Sequence, residues 1–272
     1  MPEQTHLLTR EFKEDSDVQV AFSVNPARKA ILFIHGYSGD ALKTWTDFPD
    51  LLRQNPKFAG HDLYFYGYDG LRAPIGASAS IFRQFLEKLF GNTEGVLNAN
   101  LPPTFQREAG FQYDDFLIVA HSLGAVVARR VLVDATKKNL SWVHRTRLVL
   151  YAPAHMGARI GQLALEAVSS FSFLGWFSGA ARIVSPLIDE LNPEKSDLLA
   201  KLQQATLDLC SEGQNVHLIA RKVVWAEREN VVSNQDFGND PLGHAIKGTT
   251  HTSVCKPNAG FRAPLACLEE CL

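Results

Sequence analysis

The chain has 272 residues, 46% of them hydrophobic and 21% charged, which is enough apolar material for one sizeable α/β domain. Its 27 Lys and Arg against 29 Asp and Glu give a formal net charge of −2, so no basic excess points to nucleic acid or to an anionic membrane. The mixed-charge N-terminus lacks the apolar core of a secretory signal, Ala167–Ala181 is too short and serine-rich to span a bilayer, and four cysteines are too few for a disulfide framework. A soluble cytoplasmic protein with no cofactor is therefore expected.

In chain order, short apolar runs predict strands at Val18–Val24, Ala30–His35, Asp62–Tyr66, Phe116–His121, Leu148–Ala152 and Val216–Ala220. Helices are predicted at Ser78–Phe90, Leu123–Ala135 and Ser196–Cys210, the last with Leu198, Leu202, Ala205 and Leu209 on one face. Strands alternating with helices predict a mainly parallel sheet covered on both faces, with its chemistry at the carboxyl ends of the strands. Gly91–Gln112, with its Gly, Asn and Pro102-Pro103, reads as a long surface excursion. Gly157–Leu191 carries Phe171, Phe173, Trp176 and Phe177 and reads as a helical cap inserted into a single domain spanning 1–272.

The segment Phe116-Leu117-Ile118-Val119-Ala120-His121-Ser122-Leu123-Gly124-Ala125 runs from a buried strand straight into a helix, with Ser122 at the junction. A sharp strand-to-helix turn crowds the residues two before and two after the serine, and these are Ala120 and Gly124. The serine hydroxyl would then sit at a helix N-terminus, where developing negative charge is favoured. Acyl transfer also needs backbone N–H donors for the oxyanion. Leu123, after the nucleophile, and Tyr37, in the His35-Gly36-Tyr37 loop that ends an earlier strand, are the expected pair. His35 itself reads as a hydrogen-bonding post for that loop.

A serine nucleophile needs a histidine base oriented by a carboxylate, in the chain order Ser, acid, His for this kind of sheet. Of the later histidines, His251 sits in a late polar loop just before the C-terminal helix, with His244 as the alternative. His144, His155 and His217 lie too early or in predicted strands. Glu229 is the chosen acid, in competition with Glu227, Asp236 and Asp240. His251 with Cys255, Cys267 and Cys271 forms no paired Cys-x2-Cys knuckle, so no metal is expected.

These residues resemble lipase-like α/β-hydrolases of the serine esterase and GPI-inositol-deacylase-like group. The similarity lies in Ile34-His35-Gly36-Tyr37-Ser38-Gly39-Asp40 with Lys43-Thr44-Trp45, in Tyr66-Gly67-Tyr68-Asp69, in His121-Ser122-Leu123-Gly124, and in Ala152-Pro153-Ala154-His155-Met156-Gly157. The family's Asp-x-Val-Val acid segment maps onto Glu229-Asn230-Val231-Val232, with Glu in place of Asp. Its histidine loop maps onto His251-Thr252-Ser253-Val254-Cys255. The resemblance implies an ester-hydrolysing enzyme with Ser122, His251 and Glu229 as its triad and a small-molecule or lipid-like ester as its partner. An acyltransferase or thioesterase with the same triad, and a binding module on the same fold, remain as alternatives.

Overall fold

The computed structural model describes residues 5–9, 12, 13, 17–159, 189–213 and 215–272. Eight strands form one sheet: β1 His6–Thr9, β2 Val18–Ser23, β3 Lys29–Ile34, β4 His61–Tyr66, β5 Asp115–His121, β6 Thr146–Tyr151, β7 Ala220–Arg228 and β8 His244–Thr250. Their order across the sheet is β1-β2-β4-β3-β5-β6-β7-β8, with antiparallel pairing of β1 with β2 and of β2 with β4, and parallel pairing from β4 through to β8. The described helices are α1 Phe48–Arg53, α2 Ile75–Gly91, α3 Thr93–Asn98, α4 Leu123–Lys137, α5 Leu198–Ser211 and α6 Ala263–Glu269.

Side-chain alternation along the strands separates the two faces. On one face Phe33 of β3 stacks on Phe65 of β4 at 5.0 Å and packs against Trp45 and Phe48, while the Tyr151 hydroxyl of β6 donates to the Pro264 carbonyl at 2.6 Å. This face holds α1 and α6. On the other, Tyr64, Tyr66 and Phe116 meet Phe82, Phe85 and Phe90 of α2, and α2 packs along α4. Apart from Lys29 and Asp115, which open β3 and β5, the residues of β3, β4 and β5 are all buried, as expected for strands covered on both sides.

Several sequence expectations shift. The strand predicted at Val216–Ala220 is a 3-10 turn over Val216–Leu218, and the strand itself runs Ala220–Arg228. The predicted excursion at Gly91–Gln112 contains α3 and buries Val96, Leu97, Leu101 and Phe111. Its Arg107 donates from a buried guanidinium to Asp62 at 2.7 Å, and Tyr113 donates to the other oxygen of that carboxylate at 2.6 Å. Its Gly, Asn and Pro residues therefore punctuate a packed segment. The cap expected at 157–191 lies outside the described residues apart from its ends.

The chain steps from β3 outward to β4, then returns past β3 to β5 on the other side. This reversal opens a crevice between the carboxyl ends of β3 and β5, the place where parallel sheets of this kind hold ligands. His35-Gly36 and Ser122 occupy those two ends.

Candidate active site

Ser122 closes β5 and caps α4 with φ 53° and ψ −120°. Positive φ is uncommon outside glycine, and such a strained residue persists only where its surroundings over-determine it. Here the Ser122 amide donates to the Tyr151 carbonyl at 3.0 Å, and its own carbonyl accepts from Ala125 at 3.1 Å and Ala154 at 3.2 Å. The tightness of the bend explains the small residues around it. A Cβ on Gly124 would run into the Ile34 and His35 carbonyl oxygens, and one on Gly36 would stand 2.8 Å from the Ser122 Cβ. The carboxyl end of β3 and the β5–α4 turn are thus in direct backbone contact.

The Ser122 hydroxyl lies 2.9 Å from His251 Nε2. His251 Nδ1 lies 3.1 Å from both carboxylate oxygens of Glu229. A carboxylate only accepts, so the proton belongs on Nδ1 and the lone pair of Nε2 faces the serine. Ser122 and His251 are 2% and 3% exposed, and the Glu229 side chain is 1% exposed. Glu229 Oε1 also accepts from the amides of Val231 at 3.0 Å and Val232 at 3.1 Å. The carboxylate folds back onto its own backbone, which absorbs the extra methylene of Glu relative to Asp. The Val231-Val232 segment is itself braced, because Ala158 bridges Val232 and the Arg159 amide donates to Val231 at 2.7 Å.

The competing residues are engaged elsewhere. Glu227 accepts from the Gly248 amide at 2.8 Å, and Asp236 is exposed. Asp240 pairs with the buried Arg129 and accepts from the Ala220 amide at 2.8 Å. His244 opens β8 and is exposed, as is His144. His217 is buried against Thr136 at 2.7 Å, and His155 meets the Arg129 guanidinium at 3.3 Å. Cys255, Cys267 and Cys271 are buried free thiols, and burial pushes all three up, Cys255 to about 12.

Leu123 is the first residue of α4, where an amide has no partner within its own helix. The orientation at Tyr37 is set from the other side of its peptide plane. The Gly36 carbonyl accepts from His35 Nδ1 at 2.8 Å and from the Gly39 amide at 3.1 Å, which turns the Tyr37 N–H the opposite way. His35 in turn accepts from the Tyr68 amide at 3.3 Å through Nε2, stacks on the Tyr68 ring at 4.5 Å, and its carbonyl takes the Tyr68 hydroxyl at 3.0 Å. Burial keeps the His35 imidazole below its ordinary pKa, hence neutral.

Sequence reasoning missed two of these supports. Tyr68 was visible only as part of an aromatic-glycine turn. His121 reads in the sequence only as the last residue of a buried strand. Its Nε2–H donates to the His251 carbonyl at 2.9 Å, and the two rings lie 5.0 Å apart. Burial, with His251 as the next cause, holds His121 well below the usual histidine range. A neutral ring therefore ties the β5 end to the loop that carries His251.

No family model matches the chain, and no curated protein matches it. Solved structures do. The mature lipase BlEst2 of Bacillus licheniformis is 14% identical with a TM-score of 0.53, over 90% of this chain and 93% of that one. Phospholipase PlaB of Legionella pneumophila is 19% identical with a TM-score of 0.50, over 74% of this chain and 39% of that one. A bacterial heroin esterase is 14% identical with a TM-score of 0.50, over 97% of this chain and 83% of that one. At these identities the likeness is one of architecture, and the architecture is the α/β-hydrolase fold. Among the described residues no helix is long and apolar enough to cross a membrane.

Proposed function

We propose that this chain is a serine carboxylic-ester hydrolase working through an acyl-enzyme. The observation that carries the reading is the unbroken relay from the Ser122 hydroxyl through His251 to Glu229, at 2.9 and 3.1 Å. It is built on a strained turn beside the Leu123 and Tyr37 amides. The lipase, phospholipase and esterase neighbours lend the same reading support at the level of the fold.

In the proposed reaction Ser122 Oγ bonds to the ester carbonyl carbon while its proton passes to His251 Nε2. The carbonyl π electrons move to oxygen, and that oxyanion is received by the Leu123 and Tyr37 N–H groups. Glu229 fixes the imidazole tautomer and stabilises the imidazolium. As the carbonyl reforms, the bond to the alkoxy oxygen breaks and His251 gives its proton to the leaving alcohol. Water, deprotonated by the same imidazole, then attacks the acyl-enzyme, and Ser122 recovers its proton as the carboxylic acid departs. The aromatic residues Phe171, Phe173, Trp176 and Phe177 of the sequence favour an apolar acyl group.

The test is labelling with a fluorophosphonate probe alongside hydrolysis of p-nitrophenyl esters of increasing chain length. Labelling at Ser122 and turnover abolished in Ser122→Ala, a loss on the order of a million-fold, are expected. An unlabelled Ser122 in the folded protein sinks the proposal, and equal rates across the chain-length series sink the apolar acyl preference.

A further inference from the structure

A cleft of about 490 Å³ opens beside the proposed reaction centre, between the 36–44 loop and the residues that follow His251. Gly36 and the buried His121, both beside Ser122, line it together with Lys43 and Thr44 from the first segment and Thr252 and Lys256 from the second. A base that returns its proton to the leaving oxygen must stand on the alcohol side of the nucleophile. The wall of this cleft is the chain immediately after that base, so the cleft is where an alcohol portion would extend.

The charges lining it are uneven. Its one carboxylate, Asp40, has an oxygen occupied by the Leu42 and Lys43 amides at 3.0 Å each. The ammonium of Lys43 is held only loosely by that carboxylate, at 3.7 Å, and its side chain is largely exposed. Lys256 is half-buried and forms no ion pair among the described residues. The buried His121 Nδ1, unprotonated because Nε2–H is the donor, has no hydrogen-bond partner among the described residues and can accept from a hydroxyl but not bind the anion. Two lysines and Thr252 thus line the cleft, although the chain as a whole is slightly acidic. An anion within it would collect charge-assisted hydrogen bonds from both walls.

We propose that this cleft is the alcohol subsite of the esterase and that Lys43 and Lys256 make it select esters whose alcohol portion carries an anionic group, a phosphate monoester or a carboxylate. This rests on the serine-esterase reading for turnover, though binding of the anion does not.

The experiment compares esters that differ only in the alcohol. Wild-type protein should show a kcat/KM for 1-butyrylglycerol 3-phosphate about tenfold above that for 1-butyrylglycerol at low salt, with the advantage shrinking near 0.5 M salt as screening sets in. In Lys43→Gln/Lys256→Gln the ratio should fall to about one, a readout that general damage to the fold would not move. An O-butyryl hydroxy acid separates carboxylate from phosphate recognition, and 1-oleoylglycerol 3-phosphate in mixed micelles separates a lipid headgroup from a soluble alcohol; a preference for any of these anions over its neutral counterpart supports the subsite. The proposal is overturned if wild type does not discriminate, or if the double variant discriminates as well as wild type. Calorimetric binding of glycerol 3-phosphate to Ser122→Ala, weakened at least fivefold by the two lysine changes, decides the subsite even if no ester is cleaved. Unchanged binding there refutes it.

Discussion

Ser122 stores strain at φ 53°, and that conformation has a cost of roughly 1–3 kcal/mol that the three backbone hydrogen bonds around it offset. The same crowding makes Gly124 irreplaceable in a way its neighbours are not. Gly124→Ala should push the turn away from the His35 and Ile34 carbonyls, with an overpacking penalty of about 1–3 kcal/mol visible as a lower urea midpoint. A variant as stable as wild type would show that the backbone contact is slack. Glu229 belongs to this scale too. Glu229→Gln keeps the shape but replaces an acceptor oxygen with an amide, so the imidazole loses its fixed tautomer and kcat should drop by about 10⁴. Full turnover by Glu229→Gln, with loss in Glu227→Gln or Asp240→Asn, would move the acid elsewhere.

Between elements, the buried Arg129 of α4 reaches Asp240 and also stands over the Phe237 ring at 4.5 Å. It pins the 233–243 loop, and with it the chain between Glu229 and β8, to the helix that begins at Ser122. Arg129→Leu strands a buried carboxylate and should destabilise the protein by about 3–5 kcal/mol in chemical denaturation. Adding Asp240→Asn should recover part of that loss; no recovery would mean that packing, not the charge, is what Arg129 supplies. The elements also show what the sequence could reveal. The β5–Ser122–α4 passage was legible because a doubly buried strand is a continuous apolar run and the bend admits only small neighbours. β8 was not, since only Ile246 and Thr249 of its seven residues are buried and an edge strand of this kind carries no alternation. Val216–Ala220 looked β-forming by composition, but tertiary packing under α4 made it a turn, with His217 held by Thr136. Glu229 was legible from its place before Val231-Val232, whereas the grip of those two amides on its carboxylate is a backbone contact that no side-chain pattern encodes.

At the scale of the whole molecule, six histidines (His6, His35, His61, His121, His155 and His217) are held below their ordinary pKa, in each case chiefly by burial, with His61 and His217 brought to about 4. Above about pH 6.5 both folded and unfolded chains leave them neutral, and they contribute nothing to the pH dependence. As the pH falls below that value the unfolded chain takes up protons that the folded chain refuses, so stability is lost. For the deeply buried His121 and His155 the loss is on the order of 1.4 kcal/mol per pH unit. Urea midpoints should therefore decline steadily from about pH 7 to 4.5, and a flat profile would contradict the burial of these rings as neutral bases.

The proposed nucleophile and its base are held by very different parts of the sheet. Ser122 ends a central strand, whereas His251 follows β8, an edge strand that among the described residues is paired on one side only and is largely open to solvent. A margin of this kind frays by sub-global opening well before the core cooperatively melts. Mild urea should consequently silence ester turnover while far-ultraviolet dichroism still reports an intact molecule, and amide hydrogens of β8 should exchange ahead of those in β5. Coincident loss of turnover and ellipticity would show that the rim is as firmly fastened as the centre.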